Sequence, residues 1–278
     1  MSGIGSVELL LFIALALLPA SLIYGLWKKS KPENVDAWAS AHDLVLTERT
    51  RPAVSAYLRR NLRWRTSGAI IGVVLPLGTE VPGLEMLIGY LVGAILGELT
   101  ATPILTPEGH QATLSPRELG HYVPIRILNR FRALCVITAG TALAYLLLPL
   151  RTGVDGIEGL SFVAAATGAI VVLILVEVTL RYIVRRRQPA AGHDVVAADD
   201  ALRSAAMHAT LGAGTGIAFL LLGAAGMSLG MISDTQILRW LGVPIALICL
   251  LVGLAAWLRL GHDTPWVVRR PSNPQVQA

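Results

Sequence analysis

The sequence predicts an all-α fold: a polytopic transmembrane helical bundle of about seven spans, N-terminus outside and C-terminus cytoplasmic. Three observations predict it. Of 278 residues, 54% are hydrophobic and only 15% charged, against about 25% charged in soluble domains. Apolar runs recur at close to membrane-crossing length. Finally, the cationic residues fall almost entirely on one side of the alternating connections.

The first apolar run is Leu9–Trp27. Its N-terminal flank carries Glu8 and no positive charge, and Lys28, Lys29 and Lys31 follow it. That is the charge order of an uncleaved anchor rather than a secretory leader. Further runs lie at roughly 66–80, 84–102, 133–150, 160–183, 209–231 and 238–259. A crossing takes about 20 apolar residues. The 66–80 run falls short of this before Glu80. If 66–100 forms a re-entrant hairpin, the span count drops to five and the later orientations are unchanged.

With the N-terminus outside, the inner segments are 28–65, 103–132, 181–208 and 259–278. They hold 21 of the 23 Lys and Arg residues, leaving only Arg151 and Arg239 outside. The membrane potential and an anionic inner leaflet both favour this asymmetry. The net charge of +5 is therefore read as facing a lipid surface, and nucleic-acid binding is not expected. The outer connections are short, so a partner surface is expected on the inner side.

The organisation follows: an anchor (1–27), a cytoplasmic linker with a basic amphipathic helix (28–65), the bundle (66–262) with cytoplasmic segments 103–132 and 181–208, and a cytoplasmic tail (263–278). In the second region Pro52 suits a first helical turn. Val54, Tyr57, Leu58 and Leu62 make an apolar stripe, with Arg59, Arg60, Arg63, Trp64 and Arg65 among them. These basic residues and Trp64 are candidates for lipid-surface or partner contact. In the inner segment 103–132, Ser115-Pro116-Arg117-Glu118 reads as a capping box that starts a short helix. Pro124 ends that helix and opens the next. Within 181–208, residues 184–200 are expected to form a linker, with Asp199 or Asp200 capping the following helix.

The triplet Thr-x-Gly occurs at Thr66/Gly68, Thr138/Gly140 and Thr210/Gly212, spaced by 72 residues both times. At the same offset Arg60 matches Arg132. The spacing fits three helical hairpins after the first span, each introduced by an inner helix, with the triplets as helix-start positions. Coincidence in a Gly/Ala/Leu-rich chain is the competing reading.

Two carboxylates are costly where they sit. Glu98 (Leu-Gly-Glu-Leu-Thr) and Glu177 (Leu-Val-Glu-Val-Thr) each lie near the inner end of an apolar run. A charge there costs about 2.5–3.5 kcal/mol on insertion scales, so each is a candidate intramembrane polar site. Glu177 has Arg181 four residues on, which offers a local ion pair. Glu98 has no such neighbour and needs a partner from another helix. Gly89, Gly93 and Gly97 form a small-xxx-small face suited to tight helix packing, and the Gly/Pro-rich hairpin around them is the alternative place for a solute site.

Other chemistry is not signalled. The six His residues make no paired metal motif, and Cys135 and Cys249 lie alone in apolar runs. No metal or cofactor is expected. There is no P-loop, no Gly-x-Ser-x-Gly elbow and no zinc-protease helix. No Lys lies in any run, which excludes a retinal Schiff base.

The stretch Leu46-Thr47-Glu48-Arg49-Thr50-Arg51-Pro52, the run Tyr57-Leu58-Arg59-Arg60, and Leu114-Ser115-Pro116-Arg117 with Tyr122-Val123-Pro124 resemble uncharacterised multi-pass membrane proteins of actinobacteria. Gly89-Tyr90-Leu91-Val92-Gly93 through Glu98 fits the same resemblance, which covers the first half of the chain and implies no activity. With 20 Arg against 3 Lys, the composition points to a GC-rich bacterium and a plasma-membrane location. The expected role is a non-enzymatic accessory or partner-binding component acting through its cytoplasmic face. The alternative is a small-solute or ion transporter with a site at Glu98.

Overall fold

A computed structural model describes residues 34–74, 84–100, 118–147, 156–186, 192–232 and 236–261, together with Ser21, Tyr24 and Gly25. The described residues hold seven α-helices and no strand. They are α1 (Val35–Ala41), α2 (Thr50–Val74), α3 (Leu84–Leu99), α4 (Ile125–Leu147), α5 (Gly156–Arg185), α6 (His193–Ile232) and α7 (Gln236–Gly261). A single 3-10 turn, Leu119–His121, precedes α4.

Among the described residues, four helices are long and apolar enough to cross a membrane, over Ile125–Ala144, Phe162–Arg185, His193–Ser228 and Leu241–Gly261. At 1.5 Å per residue the shortest is about 30 Å long, the thickness of a bilayer core. They carry the described part of the last four apolar runs of the sequence. Large apolar side chains stay exposed along them, including Val136, Ile137, Ile170, Ile174, Ile248 and Leu251. In water that arrangement is unfavourable; in lipid it is the expected outer surface. The other three expected spans stand differently. Most of 9–27 and all of 75–80 lie outside the described residues. The third is α3, with 16 residues, or about 24 Å of helix.

The chain forms two compact units, residues 1–115 with 186–202, and residues 116–185 with 203–278. In the first, α2 opens on a reciprocal threonine pair. Thr47 Oγ1 accepts from the Thr50 amide at 3.3 Å and Thr50 Oγ1 accepts from the Thr47 amide at 2.8 Å. This closes two donors that the helix start leaves open. Pro52 sits in the first turn, where its missing N–H costs nothing. Val54, Tyr57 and Leu58 then pack with Val35 and Leu202, and Trp38, Leu44 and Leu46 cover them. Each fully buried apolar side chain there contributes about 1.5–3 kcal/mol.

Further along α2, glycine decides the packing. A Cβ on Gly68 or Gly72 would run into the carbonyls of Gly89 and Glu85, and one on Gly93 into the carbonyl of Trp64. The two helices therefore touch backbone to backbone and run antiparallel. The small-xxx-small reading of Gly89, Gly93 and Gly97 matches this contact, since a Gly97 Cβ would meet Asn61 Oδ1 at 2.8 Å.

In the second unit α4 pairs with α5, and Ala142, Phe162, Ala165, Ala166 and Ala225 form a core of small residues around one aromatic ring. α6 and α7 also run antiparallel. Gly212 faces Trp257 and Leu260, Gly253 faces Phe219, and Gly223 faces Cys249.

Two expectations are corrected. Asp199 and Asp200 do not cap a helix, because α6 starts at His193 and the Gly192 carbonyl accepts its first amides, from Val195 and Val196. The polar stretch continues the helix instead of interrupting it, giving 40 residues in one piece. The Thr-x-Gly triplets likewise are not helix starts. Thr66, Thr138 and Thr210 each lie well inside α2, α4 and α6, because the inner helix and the apolar run form one continuous helix in all three cases. Nor do the three glycines share a setting. Gly68 is pressed on backbone, Gly212 meets Leu260 and Trp257, and nothing lies within 4 Å of a Cβ at Gly140. The Ser115–Arg117 part of the capping box and the tail 263–278 lie outside the described residues, while Pro124 stands just before α4 as expected.

Candidate functional site

The Glu98 carboxylate is fully buried, at 0% exposure, and its partners come from α2. Tyr57 Oη donates to Glu98 Oε1 at 2.7 Å, and Asn61 Nδ2 donates to the same oxygen at 2.6 Å. Tyr57 and Asn61 are four residues apart, so one helix face presents both donors. The expected inter-helix partner is therefore a pair. Arg65 lies within electrostatic reach of Glu98, as does Arg60. Arg65 stands over the Tyr90 ring at 5.9 Å, and Arg60 over the Tyr57 ring at 5.9 Å. Several polar atoms of the node are buried without a hydrogen bond: Glu98 Oε2, Asn61 Oδ1, Arg60 Nε and Nη2, and Arg65 Nε.

Burial also sorts the basic residues of α2. Arg59 and Arg63 are exposed, and Arg60 and Trp64 half-buried. Arg65 is only 6% exposed, so it leaves the lipid-surface set and joins the buried node. The reason is geometric: it shares the helix face of Asn61 and Ala69, which packs inward, with Tyr90 to receive it.

Glu177 has a different setting. The expected Arg181 pair exists but is long, at 3.7 Å, and Arg181 is 70% exposed. The closer partner is Arg132 on α4, whose Nε donates to Glu177 Oε1 at 2.6 Å. Arg132 also holds Asn129 Oδ1 at 3.3 Å. The two hairpins nevertheless share a local plan. In each, a Glu near the end of the second helix meets the first helix, and the Thr two residues later turns its hydroxyl back onto its own helix. Thr100 Oγ1 donates to the Leu96 carbonyl at 2.8 Å and Thr179 Oγ1 to the Leu175 carbonyl at 2.7 Å.

A second feature lies at the polar end of the first unit. α1 and the extended residues 44–46 cover the start of α2, and Asp36 pairs with Arg51 through both guanidinium nitrogens, at 2.5 and 3.1 Å. Thr47 Oγ1 donates to Asp194 Oδ2 at 2.9 Å, joining the start of α2 to the start of α6. His42 stacks on Trp38 with centroids 4.1 Å apart, and its Nδ1 lies 2.8 Å from the Trp38 carbonyl. Burial lowers the His42 pKa, partly opposed by that carbonyl and by Asp43. A shallow depression of about 510 Å³ beside α1 is lined by Asp36, Asp43, Leu44, Val45, Leu46 and Arg51 among others. Val45 is 82% exposed at it.

Among the described residues no three His, Cys, Asp or Glu side chains come together as a metal cluster. His110 lies outside them. Cys135 and Cys249 are free and buried.

Sequence reasoning missed Asn61 and Arg132 as partners and read Tyr57 only as part of an apolar stripe. A signal existed for each. Tyr57 and Asn61 share the i,i+4 spacing, and Arg132 was already matched to Arg60 by the 72-residue offset. No protein-family model, curated protein or solved structure matches the chain.

Proposed function

We propose that this chain is a non-enzymatic, multi-pass component of a bacterial plasma membrane that binds a protein partner on its cytoplasmic face. Seven spans with the N-terminus outside belong to the same proposal. The distribution of the cationic residues supports the orientation, since the α1 layer then lies inside. The observation that carries the partner-binding reading is Val45. An apolar side chain 82% exposed sits on a well-packed layer beside Asp36 and Asp43 at the depression. Packing through Val35, Val54 and Leu58 gives that surface a defined shape, which a lipid-facing tether does not need. Asp36 is already paired with Arg51 there, so Asp43 is the carboxylate that suits a partner segment presenting an apolar side chain beside a cation.

The test is a photo-reactive amino acid at Val45 in membranes of the producing cell. A single protein adduct is expected, lost on Asp43→Arg and unchanged by Arg181→Ala. Lipid-only adducts at Val45, or an adduct indifferent to Asp43→Arg, exclude the reading.

A second reading, a small-solute or ion transporter, has one specific observation in its favour. Glu98 Oε2 and Asn61 Oδ1 are both buried acceptors with no donor. Glu98→Gln protein that folds and loses a proton- or ion-coupled flux in proteoliposomes favours transport over the accessory role.

A further inference from the structure

We infer that Arg60 and Arg65 form a binding site for one phosphate monoanion at the inner membrane interface, the headgroup phosphate of an anionic phospholipid being the ligand that matches best. Charge is the first ground. Among the described residues the node contains two guanidiniums and one carboxylate, a net charge of +1 among side chains that are buried or half-buried. Its other polar members, Tyr57, Asn61 and Tyr90, are neutral when the phenols are protonated. An uncompensated buried charge is costly, and a phosphodiester carries the single negative charge that cancels it.

Hydrogen bonding is the second ground. Arg60 Nε and Nη2 and Arg65 Nε are buried donors with no acceptor, although Arg65 is 6% exposed. The Glu98 oxygen that is bonded is already shared by Tyr57 and Asn61. Arg60 Nε and Nη2 sit on one edge of a planar fork, the geometry that receives two oxygens of a phosphate. Position is the third ground. Arg60 is half-buried, so the cluster reaches the surface through it. Trp64, also half-buried, stands where the apolar run begins, the depth at which Trp rings and lipid phosphates meet. The site differs from the general attraction of a basic helix to an anionic leaflet, because the exposed Arg59 and Arg63 take no part in it.

The purified full chain is tested by native mass spectrometry from detergent with added phosphatidylglycerol or phosphatidylcholine, and separately with inorganic phosphate. The wild type is expected to retain one phosphatidylglycerol saturably and not phosphatidylcholine. Arg60→Gln weakens that binding about fivefold or more, whereas Arg59→Gln and Arg63→Gln each change it less than about twofold. Arg60→Lys restores only part of it, since a point charge lacks the fork. Gel filtration and helix content confirm that the variants are folded. Inorganic phosphate at about 10 mM (well above a typical weak-anion affinity) separates the sources. Displacement of the lipid identifies free phosphate as the ligand of the same site, and no displacement identifies the lipid. Equal losses from Arg59→Gln, Arg60→Gln and Arg63→Gln, or no saturable binding of either anion, overturn the inference.

Discussion

Replacing Glu98 by alanine removes the one oxygen that accepts from both Tyr57 Oη and Asn61 Nδ2, at 2.7 and 2.6 Å. Both donors are buried with it, so neither regains water. Each unsatisfied donor costs about 1–3 kcal/mol. Arg65, which lies within electrostatic reach of Glu98 without an ion pair to it, also loses that attraction. These costs overlap, because they describe one network, so the expected loss is about 3–5 kcal/mol rather than their sum. Glu98→Gln keeps an acceptor oxygen and loses the charge, which places it at about 1–2 kcal/mol. Unfolding of the purified chain in mixed micelles measures each variant. A double-mutant cycle of Tyr57→Phe with Glu98→Gln isolates the pair, and a coupling of at least about 0.5 kcal/mol is expected. Glu118→Ala, at an exposed position, serves as the control and changes stability by less than about 0.5 kcal/mol. Glu98→Ala as stable as the control refutes the claim that this carboxylate ties α2 to α3.

Glycine substitutions should separate by position. Gly89→Ala drives a Cβ into the Gly68 carbonyl and is expected to cost about 1–3 kcal/mol, while Gly140→Ala, with open space beside it, is neutral or stabilising by about 0.5–1 kcal/mol; both read out as thermal midpoints in detergent. Arg132→Ala should cost about 1 kcal/mol and Arg181→Ala close to nothing, since Arg132 is the close partner of Glu177 and Arg181 is mostly solvated. Lowering the pH should loosen the α1 layer. Burial depresses the His42 pKa below its ordinary value of 6.5, so the unfolded state binds the proton more readily, and the stabilisation present above about pH 6.5 declines as the pH falls towards the folded-state pKa. Hydrogen-exchange protection of residues 35–46 should drop between about pH 7.5 and 5.5, and His42→Gln should flatten that dependence.

Much of this architecture is legible in the sequence because lipid imposes a coarse rule. The runs at 133–150, 160–183, 209–231 and 238–259 stand out by hydropathy alone, and the described part of each lies in a helix of sufficient length. The glycine face of α3 is legible for a similar reason, since spacing by four leaves few uses besides close packing. Helix boundaries in the polar segments are less legible. Asp199 reads as a capping residue, yet it is buried in α6 together with Arg203 and His208, and only tertiary packing reveals that a polar stretch continues a helix. The node at Glu98 was half legible. A lone buried carboxylate demands a partner, but the choice of Tyr57 and Asn61 depends on the rotation of α2 against α3, which the backbone contacts at Gly68 and Gly72 set. Arg65 was misplaced for the same reason, because five basic and aromatic residues within seven positions cover every side of a helix.

The account rests most heavily on the α1 layer lying on the cytoplasmic side of a membrane, and cysteine accessibility tests that directly. With the buried Cys135 and Cys249 replaced by serine, a single cysteine is placed at Val45, which is 82% exposed. A membrane-impermeant maleimide is then applied to intact spheroplasts and to inverted vesicles. Labelling of Val45→Cys in inverted vesicles alone is the predicted result; labelling in intact spheroplasts contradicts the orientation and, with it, a partner surface on the inner face.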